Sequence, residues 1–193
     1  MNICIAAYGF HTRKYTPFDD PRWEIWGLNS KVHLYKREDL HFEVHACQYY
    51  KKSDKWRPYY DWLRDNQNKV MLQRPDPDLP EARILDCSYP YDITSSVMWM
   101  MLHALTYRSL ERILLTGVEL ATASEYSTQR RGVFNLMEDA RAKGVEVWVP
   151  KRTQLFEGLK KKHILKPIAE HFDEVVHAPN FERENTGYVY GLK

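Results

Sequence analysis

The chain has 193 residues, 44% hydrophobic and 28% charged, with a formal net charge of +2. That size and apolar content suit one folded domain with a real core, and the balanced charge gives no general reason to expect a nucleic-acid partner. No apolar run approaches the ~20 residues needed to span a bilayer, so no membrane partner is expected.

The three cysteines, Cys4, Cys47 and Cys87, are widely scattered, which argues against a disulfide framework or a structural zinc site. The sequence enters an apolar run at once, without a charged leader, and the expectation is a reduced, cytoplasmic protein. Aromatic residues reach 13%, a surplus that fits a stacking pocket or an interface, one between copies of the chain included.

Asn2 to Tyr8 is a short apolar run closed by Gly9 and reads as a buried first strand. Phe10 to Pro21, with two prolines and paired aspartates, reads as loop. Glu24 to Leu28 and His41 to His45 read as the next two strands, Asp54 to Asn66 as a helix, and Val70 to Leu72 as strand-like. A proline-rich loop covers Arg74 to Pro80.

Thr94 to Tyr107 carries Val97, Met98, Met101, Leu102 and Leu105 on one broad helical stripe, with hydroxyls where an N-cap belongs. Arg112 to Thr116 is a strand closed by Gly117, Thr128 to Lys143 a helix stopped at Gly144, and Val145 to Val149 a strand stopped by Pro150. Helices alternating with strands through short joints predict an α/β fold. The expected form is Rossmann-like, a mainly parallel sheet with helices on both faces. Residues 1–193 read as a single domain, with 151–193 as a C-terminal helical extension and tail.

In such a sheet, ligands sit beyond the carboxyl ends of the strands. After the first strand come Gly9, His11, Thr12 and Arg13, a turn suited to a phosphate through backbone amides and a guanidinium. The second and third glycines of a dinucleotide fingerprint are absent. Asn29 follows the second strand and His45 ends the third. Thr94, Ser95 and Ser96 open a helix, where free amides favour an anion, although one of the three suffices as a cap. From Thr116 into the opening of the next helix stand Glu119, Glu125, Tyr126, Gln129 and Arg130. Glu119 suits a hydrated Mg²⁺, a ribose hydroxyl or a base role, and Arg130 suits a phosphate. An ion pair between Glu125 and Arg130 is the structural alternative.

These segments together resemble a family of small phage and prophage proteins. The resemblance rests on Gly9 to Arg13, Pro17 to Pro21, Trp23-Glu24-Ile25-Trp26-Gly27-Leu28-Asn29, Phe42-Glu43-Val44-His45 and Thr94 to Ser96. It continues in Ser124-Glu125-Tyr126 with Gln129-Arg130, and in Gly187 to Gly191. Glu119 stands where many relatives carry aspartate, and Arg131 where proline is frequent. More distantly, the order of a hydroxyl-led helix, a Gly-x-acidic strand end and a tyrosine-bearing loop is similar to bacterial sialyltransferases and the pterin diphosphokinase-like family. The resemblance implies the cytoplasm of a host cell and a nucleotide-type ligand.

Three functions are compatible with these residues. The first is a small transferase acting on a nucleotide or nucleotide-sugar, with His45 or Glu119 as base and Arg13 and Arg130 on phosphates. The second is a counter-defence protein that sequesters a nucleotide-derived signal, and the third a partner-binding protein without a small ligand.

Overall fold

The computed structural model describes residues 1–85, 93, 95–120, 124–157, 166–167 and 175–178, with the backbone alone for 124–128, 166–167 and 176. In chain order the strands are β1 (Asn2–Ala6), β2 (Trp23–Leu28), β3 (Leu40–Glu43), β4 (Val70–Leu72), β5 (Arg83–Ile84), β6 (Arg112–Thr116), β7 (Glu146–Pro150), β8 (Lys166–Pro167) and β9 (Val175–His177). The helices are α1 (Cys47–Lys51), α2 (Arg57–Asp65), α3 (Ser96–Ala104) and α4 (Ser124–Ala142).

The strands form one sheet in the order β5-β4-β3-β2-β1-β6-β7-β9-β8. From β5 through β7 every pair is parallel, and only β9 and β8 run antiparallel to their neighbours. The mainly parallel α/β sheet is the architecture expected from the sequence. Two strands of the described extension, β8 and β9, pair at the sheet's edge, whereas a helical extension was expected; the basic stretch Lys160 to Lys162 lies outside the described residues.

Both faces of the sheet are covered, which is why its strands read as nearly continuous apolar runs. Ile3, Ile5, Trp26, Leu28, Leu40, Phe42, Ile113 and Leu115 point to the side packed by α3 and α4. Cys4, Ala6, Trp23, Ile25, Leu114 and Trp148 line the opposite side, continued under α1 and α2 by Tyr50, Tyr59, Tyr60 and Leu63. The stripe expected on α3 widens into nearly all-round burial: Val97 to Leu102 and Ala104 are all buried. The reason is that α3 packs against both the sheet and α4.

The chain walks outward from β1 through β2, β3 and β4 to β5, then returns through α3 to place β6 on the other side of β1. The connections from β1 and β6 therefore lead toward opposite sides of the sheet, the topological switch point where open α/β sheets form their ligand crevice.

Gly27 in β2 is opposite His41 in β3. An added Cβ there would lie 1.7 Å from Glu38 Oε1 and 2.8 Å from the Tyr35 ring. Gly27→Ala should displace the Glu38 carboxylate from His41 and destabilise the fold by about 1–3 kcal/mol, the usual cost of overpacking. Urea unfolding would show this as a lowered midpoint at unchanged slope.

Candidate functional site

The switch-point crevice is closed at its base by hydrogen bonds that extend the β1–β6 ladder. Ala7 N–H donates to Thr116 O and Gly9 N–H to Gly117 O, both at 2.7 Å. Gly117 has φ +65, and a Cβ on Gly9 would lie 2.5 Å from both Glu119 Cδ and Gly117 O. The two loops meet more closely than side chains allow.

Two of the residues expected to touch ligand hold this junction instead. Thr12 is fully buried, and its hydroxyl accepts a 2.8 Å hydrogen bond from Gly117 N–H. Glu119 Oε1 accepts the His11 N–H at 3.0 Å, so this carboxylate fixes the β1 turn. Thr12→Val keeps the shape and orphans a buried amide. It should cost about 1–3 kcal/mol, read as a lower thermal midpoint.

Beside the crevice lies an open cleft of about 550 Å³, lined by Phe10, His11, Arg13, Lys14, Phe18 and, from the segment after β7, Arg152, Thr153, Gln154 and Glu157. Arg13 is half-buried in a short 3₁₀ turn, whereas Lys14 and Arg152 are exposed. Phe10 is 80% exposed at this cleft. Arg130 is spent on structure: its Nη1 donates to Glu157 O at 2.6 Å, anchoring the far wall of the cleft. This bond ties the guanidinium, expected on a phosphate, to the backbone of the cleft wall.

The acidic and amide residues expected in a long loop after β6 fall elsewhere. Because α4 begins at Ser124, Glu125, Tyr126, Gln129 and Arg130 belong to its first turns. Gln129 is buried, and the side chains of Glu125 and Tyr126 lie outside the described residues. Ser95 caps α3, its hydroxyl accepting from Met98 N–H at 3.3 Å, and Ser96 is the first helical residue. Thr94 lies outside the described residues. Because α3 runs back from the end of β5 toward the start of β6, this cap sits at the carboxyl edge of the sheet, the edge that also carries His45.

Further along that edge, β2 is followed by Asn29, whose φ is 56 and whose N–H donates to Phe42 O. Its side-chain Oδ1 is buried without a hydrogen-bond partner among the described residues. Buried acceptors are normally satisfied, so this one has room for a donor. Tyr8, leaving β1, donates its hydroxyl to Leu28 O and accepts the Lys31 N–H at 3.1 Å. Burial, then the neighbouring Tyr35, pushes the Tyr8 phenol far up, so it stays protonated.

The strongest arrangement of titratable groups stands two residues past β3. Glu43, fully buried, accepts both the backbone N–H and the ring Nδ1 of His45 at 2.7 Å through Oε1. Its other oxygen accepts the Tyr59 hydroxyl at 2.7 Å. A carboxylate partner places the proton of the neutral His45 ring on Nδ1 and leaves the Nε2 lone pair free. The His45 side chain is 57% exposed, so Nε2 faces solvent chemistry while Nδ1 is held by a buried carboxyl group. The hydrogen bond that His45 donates to Glu43 raises the His45 pKa above its ordinary value, against a smaller opposing effect of burial. Tyr50 reaches the same ring nitrogen at 3.3 Å.

Glu43 was not singled out as a site residue, although the sequence carries a signal for it. An acidic residue sits between Phe42 and Val44, in a run expected to be a buried strand, two residues before a histidine. Tyr50 and Tyr59 carried no comparable signal, because only the packing of α1 and α2 brings them in. Among the described residues no three His, Cys, Asp or Glu side chains gather as a metal site.

No family model matches the chain, and no curated protein matches it in sequence. Among solved structures, thiamine pyrophosphokinase from Bacillus subtilis matches with a TM-score of 0.46 and 10% identity, over 77% of this chain and 59% of that one. This chain thus spans less than two thirds of that protein's length, a likeness too loose to carry an activity across. No helix among the described residues is long and apolar enough to cross a membrane.

Proposed function

We propose that this protein binds a nucleotide-type phosphate ligand along the carboxyl edge of its sheet and transfers a group from it. In this reading His45 is the general base, and Arg13, Lys14 and Arg152 take the phosphates. The observation that carries the proposal is the buried Glu43 fixing His45 Nδ1–H, with Nε2 left open at that edge. Such a pair is the arrangement a positioned proton acceptor needs.

Chemically, an acceptor hydroxyl gives its proton to His45 Nε2 as its oxygen attacks the electrophilic centre of the donor. The bond to the departing phosphate breaks, and the guanidiniums of Arg13 and Arg152 hold the charge that develops on it. Along the sheet β3 lies two strand spacings from β1, about 10 Å, and four from β7, about 19 Å, a span for an extended ligand that carries a phosphate at one end and a reacting group at the other. Phe10, exposed at the cleft, offers a face for a base to stack on.

The test is calorimetry of the full chain against nucleoside di- and triphosphates, nucleotide-sugars and cyclic or ADP-ribose-type nucleotides, with product analysis after adding hydroxyl acceptors. Binding followed by a transferred group supports the proposal. A ligand bound tightly and recovered unchanged with every acceptor converts the reading to sequestration. If nothing on that panel binds, the nucleotide reading falls.

A further inference from the structure

Behind His45 the hydrogen bonds do not stop at Glu43. Tyr59 O, 2.7 Å from Glu43 Oε2, is also 2.8 Å from His41 Nε2, and His41 Nδ1 is 2.6 Å from Glu38 Oε1. His41 is fully buried and the Glu38 side chain is 4% exposed. Five side chains thus form one continuous line: Glu38, His41, Tyr59, Glu43 and His45. It runs from beneath Gly27, where the absence of a Cβ makes room for Glu38, to the solvent at His45. Nothing in the proposed chemistry explains why the other three, Glu38, His41 and Tyr59, are buried in line behind Glu43.

The donors along this line are constrained, because Tyr59 has a single proton for two neighbours. If it donates to Glu43, it must accept from His41 Nε2–H. A second proton must then lie between His41 Nδ1 and Glu38, since a ring lone pair cannot face a carboxylate at 2.6 Å. If Tyr59 instead donates to His41, Glu43 must carry a proton of its own. The two arrangements hold the same number of protons. They differ in whether the mobile one rests with His41 or with Glu43.

We infer that Glu38, His41 and Tyr59 are positioning residues: they keep the mobile proton on His41, so that Glu43 stays an anion and His45 keeps its Nε2 lone pair toward substrate. Two features favour that arrangement. The carboxylate of Glu38 pairs directly with His41, stabilising a doubly protonated ring in a buried site. An anionic Glu43 receives two donors from His45 and one from Tyr59, with the Tyr50 hydroxyl bonded to it as well. The other groups facing this centre are Tyr8 beyond β1, Cys47 and Tyr50 of α1, and Asp76, whose charge acts on Cys47. Burial pushes these phenols and the thiol well up, Cys47 to about 12. At neutral pH they stay protonated and leave the exchange to the carboxylates and imidazoles.

The role of these three groups rests on the reading of His45 as a base, but its test needs no ligand. Imidazole ¹⁵N NMR on the full chain at pH 7 should find both His41 ring nitrogens protonated, with the neutral His45 ring protonated on Nδ1. Tyr59→Phe removes one hydroxyl and preserves the ring. Glu43, stripped of a donor, then holds the proton itself, and the His45 midpoint should fall toward that of an ordinary imidazole. A wild-type His41 with a bare Nε2 would overturn the inference without any variant. So would a Tyr59→Phe protein whose His45 midpoint and tautomer are unchanged. Because these signals are read without nucleotide, a failure to bind the nucleotide panel would sink the function above and leave this result standing.

Discussion

Glu43→Gln is expected to lower turnover by ~100-fold or more while nucleotide affinity changes by only a few-fold, and His45→Ala to match it. The magnitude is that of a lost general base. Glutamine keeps the size of Glu43 and an oxygen for the His45 N–H groups, so the fold and the cleft should survive. What disappears is the buried negative charge that fixes the His45 tautomer and raises its pKa.

The pH behaviour follows with a definite sign. His45 titrates above its ordinary value in the folded chain, so the acid limb of the rate profile should lie above the range of a free histidine, and move down in Glu43→Gln. The stability contribution of the pair is fully present below about pH 6.5 and is lost as pH rises through the folded value. Rate profiles of wild type and variant, beside a calorimetric titration of each, check both statements. Equal loss of binding and turnover in Glu43→Gln would place the residue in ligand binding.

Arg13→Ala should weaken nucleotide binding by roughly 10- to 150-fold. This corresponds to the ~1.5–3 kcal/mol of a charge-assisted contact at 1.4 kcal/mol per decade. Arg13 is half-buried, which shields its charge from solvent. The exposed Arg152 and Lys14 should cost less when removed, and their contributions should shrink as salt is added. Arg130→Ala gives a contrasting expectation, because that guanidinium is committed to Glu157 O. Its loss should loosen the 152–157 wall and weaken binding only indirectly, with little change in salt dependence. Titrations at two ionic strengths separate the two kinds of arginine. A cleft that binds equally well without Arg13 would move the phosphate site elsewhere.

Much of the fold is written locally. The runs at Asn2–Ala6, Trp23–Leu28, Arg112–Thr116 and Glu146–Pro150 are strands in the structure because a parallel sheet covered on both faces tolerates apolar side chains at every position. Helices α2, α3 and α4 carry a period over nine or more residues, enough for it to be read. By contrast α1, β5, β8 and β9 are two to five residues long. A segment that short completes no period, and only its neighbours in space make it an element.

The site divides along the same line. Sequence alone placed Gly9, Arg13, Asn29 and His45 after strands, because a strand end is a local property. What each side chain does there was decided by partners far away in the chain. Thr12 faces Gly117 across 105 residues, and Glu119 reaches His11 across 108. Both therefore close the crevice between β1 and β6, a neighbour relation created by the return of the chain through α3. Glu43 and His45 are two residues apart, yet the burial that holds the carboxyl group in place comes from α1 and α2 packing over β3. Residue type and strand position set which groups stand at the carboxyl edge. Long-range packing alone determines which of them are tied up in the scaffold and which keep a free atom for chemistry, because hydrogen-bond partners and desolvation are properties of the assembled sheet.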